Sequence, residues 1–405
     1  MAAFDGADPV STPSTTSEST APPASADLAV THVTEDMAPL AGGVPAVVRQ
    51  LSRRLAGAGV RLRLVHATGD ASDLEPITEV FHCAPSRIGQ VWSYGPSLGA
   101  ALQLAVPPHQ SGPTVVHVHG VWSAPQWMAM RTARAHRQPW LLTAHGMLEP
   151  WLWRQQGWRV RAKKAAYWHA LLRPMLPHAA VLHAITPLER THLLALVPGS
   201  RVEIIPNAIE VLPVPAQAPA LVRSVLFLGR IEPKKGVDIL IEAFGRARLK
   251  SEWVLQVVGP AWSQVYLDSL RAQTERLGLK ARVSFLGPKF GSEKTRLLES
   301  AWVMVAPSHS EVVGLVNLEA GERQVPSITT HQTGLADWQE GGGELVQPVV
   351  SDVTNALVRA CAWSDSERAA RGAASRALVQ RRYSWDSTIP QWQALYSDIN
   401  QETRP

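Results

Sequence analysis

The sequence predicts an α/β protein made of two doubly wound domains that face each other across a cleft. Short apolar segments, typical of buried parallel strands, alternate with helical segments along the chain. A proline-rich stretch at residues 211–219 interrupts this alternation, which then begins again. The polar motifs directly follow predicted strands, at the end of the sheet where doubly wound domains bind their ligands.

The first domain is expected at residues 28–210. It follows a tail at residues 1–27 that is rich in Ser, Thr, Pro and Ala, offers little apolar surface and is expected to be disordered. The first helix begins after the glycine pair Gly42-Gly43 and carries Pro45 in its first turn, where proline is favoured. The strands of this domain are predicted at residues 28–34, 60–66, 114–119, 140–144, 181–185 and 202–205, with a second helix at 125–136.

The second domain is expected at residues 223–383, after a linker at residues 211–222. A helix that begins near Val312 or Val313 follows its fourth strand. Only helices are expected from residue 352 onward, and residues 384–405 form the last of them. The strands of this domain are predicted at residues 225–228, 253–258, 283–286, 301–306 and 325–330, and the other helices at 236–248, 262–277 and 291–300.

The composition is that of a soluble globular protein. The 405 residues suffice for two domains, and 45% of them are hydrophobic and 18% charged. The two cysteines, Cys83 and Cys361, are too few for a disulfide framework and favour a reducing compartment. No apolar run reaches the ~20 residues of a membrane span, and the first residues do not read as a secretory signal. A cytoplasmic location is therefore expected.

The segment after the strand at 301–306 carries the strongest functional signal. The amides of Gly314, Leu315 and Val316 are expected to be unpaired in the first helical turn, where they would favour an anion such as phosphate. Glu311 and Glu319 stand on either side of these residues. Each carboxylate can accept hydrogen bonds from two neighbouring hydroxyls of a sugar or a ribose. The alternative is a helix-capping charge at one position and a surface ion pair at the other.

Two cations lie on the loop F-L-G-R-I-E-P-K-K-G, between a predicted strand and a helix. Arg230 can bind a phosphate as a fork, and Lys235 can bind one as a point charge. Together they fit the two charges of a diphosphate. The alternative is an ordinary exposed basic loop.

His145 ends a predicted strand in T-A-H-G-M, on the side where the cleft is expected. The next residue, Gly146, would let a ligand approach the backbone. The alternative is a structural histidine. His117 and His119 share one face of another predicted strand, but no cysteine, carboxylate or third histidine stands nearby to complete a metal site. No metal is therefore expected.

A basic segment rich in tryptophan occupies residues 151–173, with six Lys or Arg residues and no acid. Its helical spacing predicts an amphipathic helix that lies on an anionic membrane or binds a lipid-linked acceptor. A helix packed into the core, with a basic exposed face, is the alternative. Nucleic acid is not expected, because no known binding module accompanies the charge. The residues expected on this surface are Trp158, Arg161, Lys163, Lys164 and Trp168.

The Glu-x7-Glu helix, the Arg-x4-Lys loop and the H-G-M segment together resemble the family-4 retaining glycosyltransferases of the GT-B fold. The resemblance covers residues 28–396 and implies two Rossmann-like domains, the first binding the acceptor and the second the nucleotide sugar. It implies a last helix that crosses back to the first domain, and no metal or other cofactor. The residue roles it implies are sugar contact for Glu311, ribose contact for Glu319, diphosphate binding for Arg230, Lys235 and the amides of Gly314, Leu315 and Val316, a glycine-rich loop at Gly43 and a cleft position for His145.

The activity that the resemblance implies is transfer of a hexose from a nucleotide diphosphate sugar to a glycan or polyprenyl-linked acceptor. The H-G-M-L-E-P-W segment is similar to members that build exopolysaccharide or lipopolysaccharide-type glycans, which implies work at the inner face of the plasma membrane. The sequence departs from the family's pattern at two places, and both bear on the identity of the donor sugar. Residues 311–314 are E-V-V-G where the family commonly has E-G-F-G, and residues 323–326 are R-Q-V-P where it commonly has a small residue followed by Gly-x-Pro. The alternatives are a nucleotide-sugar epimerase of this fold and a non-catalytic sugar-nucleotide-binding protein.

Overall fold

The computed structural model describes residues 28–38, 43–149, 157–213 and 222–402. It confirms the predicted α/β class with two Rossmann-like domains, each built on one parallel sheet. The predicted tail at residues 1–27, Gly42, the first residues of the tryptophan-rich segment and most of the linker lie outside the described residues.

The first domain contains a seven-stranded sheet in the order β3-β2-β1-β4-β5-β6-β7, with every neighbouring pair parallel. The strands are β1 (Ala29–Val33), β2 (Arg61–His66), β3 (Glu79–His82), β4 (Val115–His119), β5 (Trp140–Thr143), β6 (Val181–Ala184) and β7 (Val202–Ile204). The helices are α1 (Gly43–Gly57), α2 (Leu98–Ala105), α3 (Ala124–Ala135), α4 (Trp158–Tyr167) and α5 (Pro187–Leu196). The sequence pattern missed β3, which is a short edge strand without a fully buried residue.

The second domain contains a six-stranded parallel sheet in the order β10-β9-β8-β11-β12-β13. The strands are β8 (Val222–Leu228), β9 (Val254–Val258), β10 (Val283–Gly287), β11 (Ala301–Ala306), β12 (Ser327–Thr330) and β13 (Glu344–Val346). The helices are α6 (Val237–Arg246), α7 (Gln264–Arg276), α8 (Gly291–Ser300), α9 (Leu315–Glu322), α10 (Val350–Ala362), α11 (Asp365–Arg382) and α12 (Trp385–Glu402).

Helix α9 begins at Leu315, later than the predicted start at Val312 or Val313. The amide of Glu311 donates to the Gln332 carbonyl, and the amide of Gly314 donates to the Thr333 carbonyl. These bonds hold the residues before α9 against the loop after β12. The delayed start lengthens the loop that carries Glu311.

Helix α12 follows the second domain in the chain but packs on the sheet of the first. Trp385, Trp392 and Tyr396 are buried in one apolar cluster with Val30 of β1 and Leu51 of α1. Burial of three large aromatic side chains contributes several kcal/mol at about 25 cal/mol per Å². The helix therefore ties the two domains together.

None of the helices within the described ranges is both long enough and apolar enough to cross a bilayer.

Candidate functional site

A pocket lies between the two domains, at the carboxyl ends of both sheets. The first domain contributes Gly43, Val44, Val47, His145, Ile185 and Asn207, and the second contributes Lys234, Lys235 and residues 311–316. Seven of the residues predicted from the sequence therefore meet here: Gly43, His145, Lys235, Glu311, Gly314, Leu315 and Val316.

Lys235 and Glu311, which both line this pocket, form an ion pair, with side chains only 20% and 14% exposed. The hydroxyl of Ser308 also donates to the Glu311 carboxylate, at 3.0 Å. Lys235 precedes Gly236, whose left-handed backbone places it where a Cβ would overlap the Pro307 carbonyl oxygen. Glycine is therefore required for the loop after β8 to lie against the end of β11.

The amides of Gly314, Leu315 and Val316 were predicted to be unpaired at the start of α9, and this prediction is wrong for two of the three. The Gly314 amide donates to the Thr333 carbonyl at 3.0 Å, and the Leu315 amide donates to the Val313 carbonyl at 2.9 Å. The Val316 amide, in the first turn of α9, has no acceptor among the described residues. The anion-binding capacity of this helix start therefore rests on one amide and the helix dipole.

Glu319 lies in a second pocket that adjoins the first and shares Gly43, Val47 and Leu315 with it. Its carboxylate pairs with the Lys294 ammonium at 2.7 Å, and both side chains are about one-third exposed. The sequence did not single out Lys294, because nothing in α8 marks that lysine among its other charged residues. Two adjoining pockets, each with a carboxylate and a lysine, suit an extended ligand with both hydroxyl and phosphate groups.

Arg230 does not lie with Lys235 in the structure. Its side chain is 60% exposed, and its guanidinium is 3.7 Å from the Glu232 carboxylate. It is not among the residues that line either pocket at the start of α9. Its predicted part in diphosphate binding stays a prediction.

His145 lies in the turn that follows β5, and its backbone has a left-handed conformation, with φ of 51°. This conformation is uncommon for a residue other than glycine and costs roughly 1–2 kcal/mol. The next residue, Gly146, is also left-handed, and a Cβ there would overlap a methyl group of Val312 from the second domain. The H-G pair is therefore a point of close contact between the domains, as well as part of the pocket.

A buried carboxylate holds this turn. The Oε1 atom of Glu189 accepts from the Gly146 amide at 2.7 Å, and Oε2 accepts from the Ile185 amide at 2.8 Å. Burial raises the pKa of Glu189, and the two amide bonds oppose that rise. The sequence signal was available: Thr186-Pro-Leu-Glu189 is a helix-capping pattern, and Thr186 does accept from the Glu189 amide. The carboxylate, however, bonds to neighbouring loops.

A third histidine, His32 of β1, lies beside His117 and His119, which corrects the expectation that no third ligand stands near that pair. One ring nitrogen from each of the three side chains lies within 4.8 Å of the other two, and all three residues are buried. Sequence spacing could not show this, because the parallel pairing of β1 with β4 brings His32 opposite His117. Both nitrogens of His117 already have other partners, Tyr396 and Thr143, which does not favour a metal at this cluster.

Burial lowers the pKa of these histidines and of His145. The pKa of His145 falls to about 3, mainly through burial and secondarily through the charge of His183. Burial alone takes the pKa of His32 to about 3. The pKa of His119 lies well below its ordinary value for the same main reason. The ring of His145 is therefore neutral at physiological pH.

Helix α4 has no buried residue among its ten, although the segment was expected to be amphipathic. Trp158 is 74% exposed, Arg161 and Lys163 are exposed, and the Lys164 ammonium lies 4.8 Å from the centre of the Trp122 ring. Trp168 is only 7% exposed and packs in the core, so its predicted surface role is wrong. The helical register changes at this point: α4 ends at Tyr167 and a π-helical turn follows at Trp168–Leu172.

Two sequence models of known families match the chain. The model described as glycosyl transferases group 1 matches residues 218–358, and the model described as glycosyltransferase family 4 matches residues 41–211. The two matches fall on the second and first domains and together span most of the described chain.

Curated proteins also match part of the chain. The D-inositol 3-phosphate glycosyltransferase of Corynebacterium glutamicum is 31% identical over 185 residues, which is 44% of this chain and 44% of that protein. The protein of the same name in Mycobacterium tuberculosis is 32% identical over 181 residues, 43% of this chain and 37% of that protein. The matched segment thus spans less than half of the length of these curated relatives.

Solved structures share the whole architecture. Sucrose-phosphate synthase from Thermosynechococcus elongatus has a TM-score of 0.69 and 21% identity, with 93% of this chain and 100% of that chain covered. HepE from Anabaena, solved with UDP and glucose, has a TM-score of 0.69 and 19% identity, with 92% and 99% covered. WaaG, a glycosyltransferase involved in lipopolysaccharide biosynthesis, has a TM-score of 0.63 and 17% identity, with 92% and 99% covered. At these identities the likeness establishes the GT-B fold.

Proposed function

The chain belongs to the family-4 glycosyltransferases of the GT-B fold, and from that premise we propose that it moves a hexose from a nucleotide diphosphate sugar to an acceptor hydroxyl with retention of anomeric configuration. The observation that carries the proposal is the interdomain pocket, in which Lys235, Glu311, His145 and the Val316 amide converge. This set combines a cation and a helix start for phosphate with a carboxylate for sugar hydroxyls.

The donor would extend across the two adjoining pockets. Lys235 and the Val316 amide would face the diphosphate, Glu311 the hexose, and Glu319 the ribose hydroxyls. Arg230 would reach the diphosphate from the rim. The structures of HepE with UDP and with UDP-glucose support a uridine nucleotide as the first donor to test.

In the proposed reaction, the acceptor oxygen bonds to the anomeric carbon as the bond from that carbon to the diphosphate oxygen breaks. The leaving diphosphate takes the acceptor proton on the same face of the sugar, so the enzyme needs no nucleophile. Lys235 and the amide stabilise the charge that grows on the diphosphate. Closure of the two domains would exclude water and suppress hydrolysis.

We assign the acceptor to a glycan or polyprenyl-linked sugar of surface polysaccharide synthesis, at an anionic membrane. Two features of α4 support this assignment. The helix exposes cations, among them Arg159, Arg161 and Lys163, and it also exposes the apolar side chains of Trp158 and Val160. Such a helix can hold lipid headgroups with its cations and place tryptophan at the interface.

The test incubates the full chain with UDP-, GDP-, ADP- and dTDP-hexoses, with and without a polyprenyl-diphosphate-linked sugar. Acceptor-dependent release of one nucleoside diphosphate, with product whose anomeric configuration by NMR equals that of the donor, is the expected result. Lys235→Ala serves as the inactive control. Interconversion of the sugar without acceptor would indicate an epimerase instead, and nucleotide binding without release or interconversion would indicate a non-catalytic protein.

A further inference from the structure

Two buried histidines lie in a line behind His145. The His145 Nε2 atom is 3.1 Å from the His119 Nδ1 atom, and the His119 Nε2 atom is 2.9 Å from the His32 Nδ1 atom. His119 is 1% exposed and His32 is fully buried. The last nitrogen of this row of histidines, His32 Nε2, is buried and has no hydrogen-bond partner among the residues that the structure describes. The nitrogen that His145 leaves for the pocket is therefore Nδ1.

A count of protons restricts the state of this chain. Three neutral imidazoles carry three N–H protons, and each of the two N···N hydrogen bonds takes one of them. The third proton lies at one end, on His145 Nδ1 or on His32 Nε2. On His32 Nε2 it would form a buried N–H without an acceptor, a rare and costly arrangement. On His145 Nδ1 it faces the pocket.

A second row of hydrogen-bonded side chains contacts the first row of histidines. The direction of donation along this second row is fixed by a backbone carbonyl at one end. His183 Nε2 donates to the Ile205 carbonyl at 2.9 Å, so its Nδ1 accepts from the Thr143 hydroxyl at 2.8 Å. The Thr143 oxygen then accepts from His117 Nε2 at 2.7 Å, and His117 Nδ1 accepts from the Tyr396 hydroxyl at 2.8 Å. Every N–H and O–H proton of this second row is engaged in a hydrogen bond within the row or to the Ile205 carbonyl. None is left for His119, although the ring centroids of His117 and His119 are only 3.8 Å apart.

We propose that His119 and His32 are positioning residues that hold His145 neutral with its proton on Nδ1, so that His145 donates a hydrogen bond to an oxygen of the donor sugar or its phosphate. The charged groups that share the pocket with His145 are Lys234, Lys235 and Glu311. Which donor oxygen accepts this hydrogen bond rests on the proposed function, whereas the position of the proton on His145 does not.

The direct test is NMR of the full wild-type chain with 15N-labelled histidine at pH 7. Two-bond 1H–15N spectra distinguish the two neutral tautomers from the imidazolium ion, and His145→Gln identifies the His145 signals. The expected result is a protonated Nδ1 and an unprotonated Nε2. A proton on Nε2, or a charged ring, would overturn the proposal without any variant having to fold.

The variant test separates positioning from packing. His119→Phe keeps a ring but removes both nitrogens, and we expect a mixture of His145 tautomers and a donor KM raised about three- to tenfold, the effect of one hydrogen bond. His119→Asn can restore a polar contact to His145 Nε2 and should recover part of the loss. The matched control is His183→Phe, another buried histidine of the same sheet that has no hydrogen bond to His145.

The outcomes also separate this proposal from the proposed function. A protonated Nδ1 in a protein that transfers no hexose would contradict the function and leave the positioning intact. Hexose transfer by His119→Phe with an unchanged His145 tautomer and unchanged donor KM would contradict the positioning and leave the function intact.

Discussion

Lys235 and Glu311 form an ion pair in the lining of the interdomain pocket, with both side chains largely buried. The lysine comes from the loop after β8 and the glutamate from the loop after β11, two neighbouring strands of the second sheet. A donor diphosphate that binds Lys235 must therefore compete with the Glu311 carboxylate. The competition gives Glu311 two effects of opposite sign, on phosphate affinity and on sugar binding.

Replacement of Glu311 by glutamine should separate these effects. Glu311→Gln removes the competing charge, so affinity for the nucleoside diphosphate should rise roughly fivefold, which corresponds to about 1 kcal/mol. Hexose transfer should fall, because a neutral amide binds sugar hydroxyls more weakly than a carboxylate. Calorimetric titration and an initial-rate assay measure the two quantities. Glu275→Gln, in an exposed pair with Lys280, is the matched control and should change neither.

The two cations of the loop after β8 should contribute unequally to nucleotide affinity. Lys235→Ala should weaken binding of the nucleoside diphosphate about 10- to 100-fold, since a partly buried charged hydrogen bond is worth about 1.5–3 kcal/mol. Arg230→Ala should weaken binding by at most about fivefold, because the arginine is 60% exposed. Calorimetry of both variants measures the difference. Equal losses would mean that Arg230 moves into the pocket with the nucleotide.

Gly146→Ala should damage the contact between the domains. An alanine at this left-handed position costs roughly 1–2 kcal/mol, and its Cβ would also overlap Val312. We expect a lower unfolding midpoint and a fall in kcat of more than about tenfold, with nucleotide affinity nearly unchanged. The double variant Gly146→Ala with Val312→Ala removes the overlap and should recover activity but not the whole stability. No recovery would show that backbone strain alone causes the loss.

Three histidines with lowered pKa values should make the protein less stable in mild acid. The folded pKa values of His32, His145 and His183 are lowered to about 3, 3 and 4, below the unfolded value near 6.5. Between these values the unfolded chain binds more protons than the folded one, so stability is present above pH 6.5 and is lost as the pH falls below it. Each histidine contributes at most about 1.4 kcal/mol per pH unit.

Urea denaturation of the wild type and of His32→Leu, at several pH values between 4.5 and 7.5, tests this dependence. The variant should lose stability more slowly as the pH falls, by up to about 1.4 kcal/mol per unit, because one group no longer takes up a proton on unfolding. Parallel curves for the two proteins would show that His32 is already charged in the folded state.

Helix α4 should determine binding to anionic vesicles. Arg161→Glu with Lys163→Glu reverses two exposed charges and should reduce co-sedimentation with phosphatidylglycerol-containing vesicles by at least about tenfold, at about 1 kcal/mol per cation. Binding to pure phosphatidylcholine should be weak for all proteins. Arg271→Glu, on exposed α7 of the second domain, is the control. Undiminished binding of the α4 variant would assign the helix a structural role only.

The sequence predicted the local elements well because they depend on local pattern. Apolar runs identified most strands. The H-G pair, the Arg-Lys loop and Glu311 lie in loops that follow strands, where the parallel sheets bring several of these residues together, and Glu319 lies on helix α9. The sequence missed β3 and β13, which are short edge strands whose residues are mostly half-buried or exposed. It also placed the start of α9 too early, because hydrogen bonds to the loop after β12 delay that helix.

By itself, the sequence determined the fold class and seven of the residues that line the interdomain pocket, but it did not indicate Lys294 or that Arg230 lies outside both pockets. Tertiary structure alone decided three points: that Lys235 pairs with Glu311, that Trp168 is buried, and that His32 and His119 stand behind His145. The physical reason is common to all three. Burial and hydrogen-bond partners depend on how distant segments pair and on helical register, as in the pairing of β1 with β4. A local sequence pattern carries no information about which distant residues become neighbours.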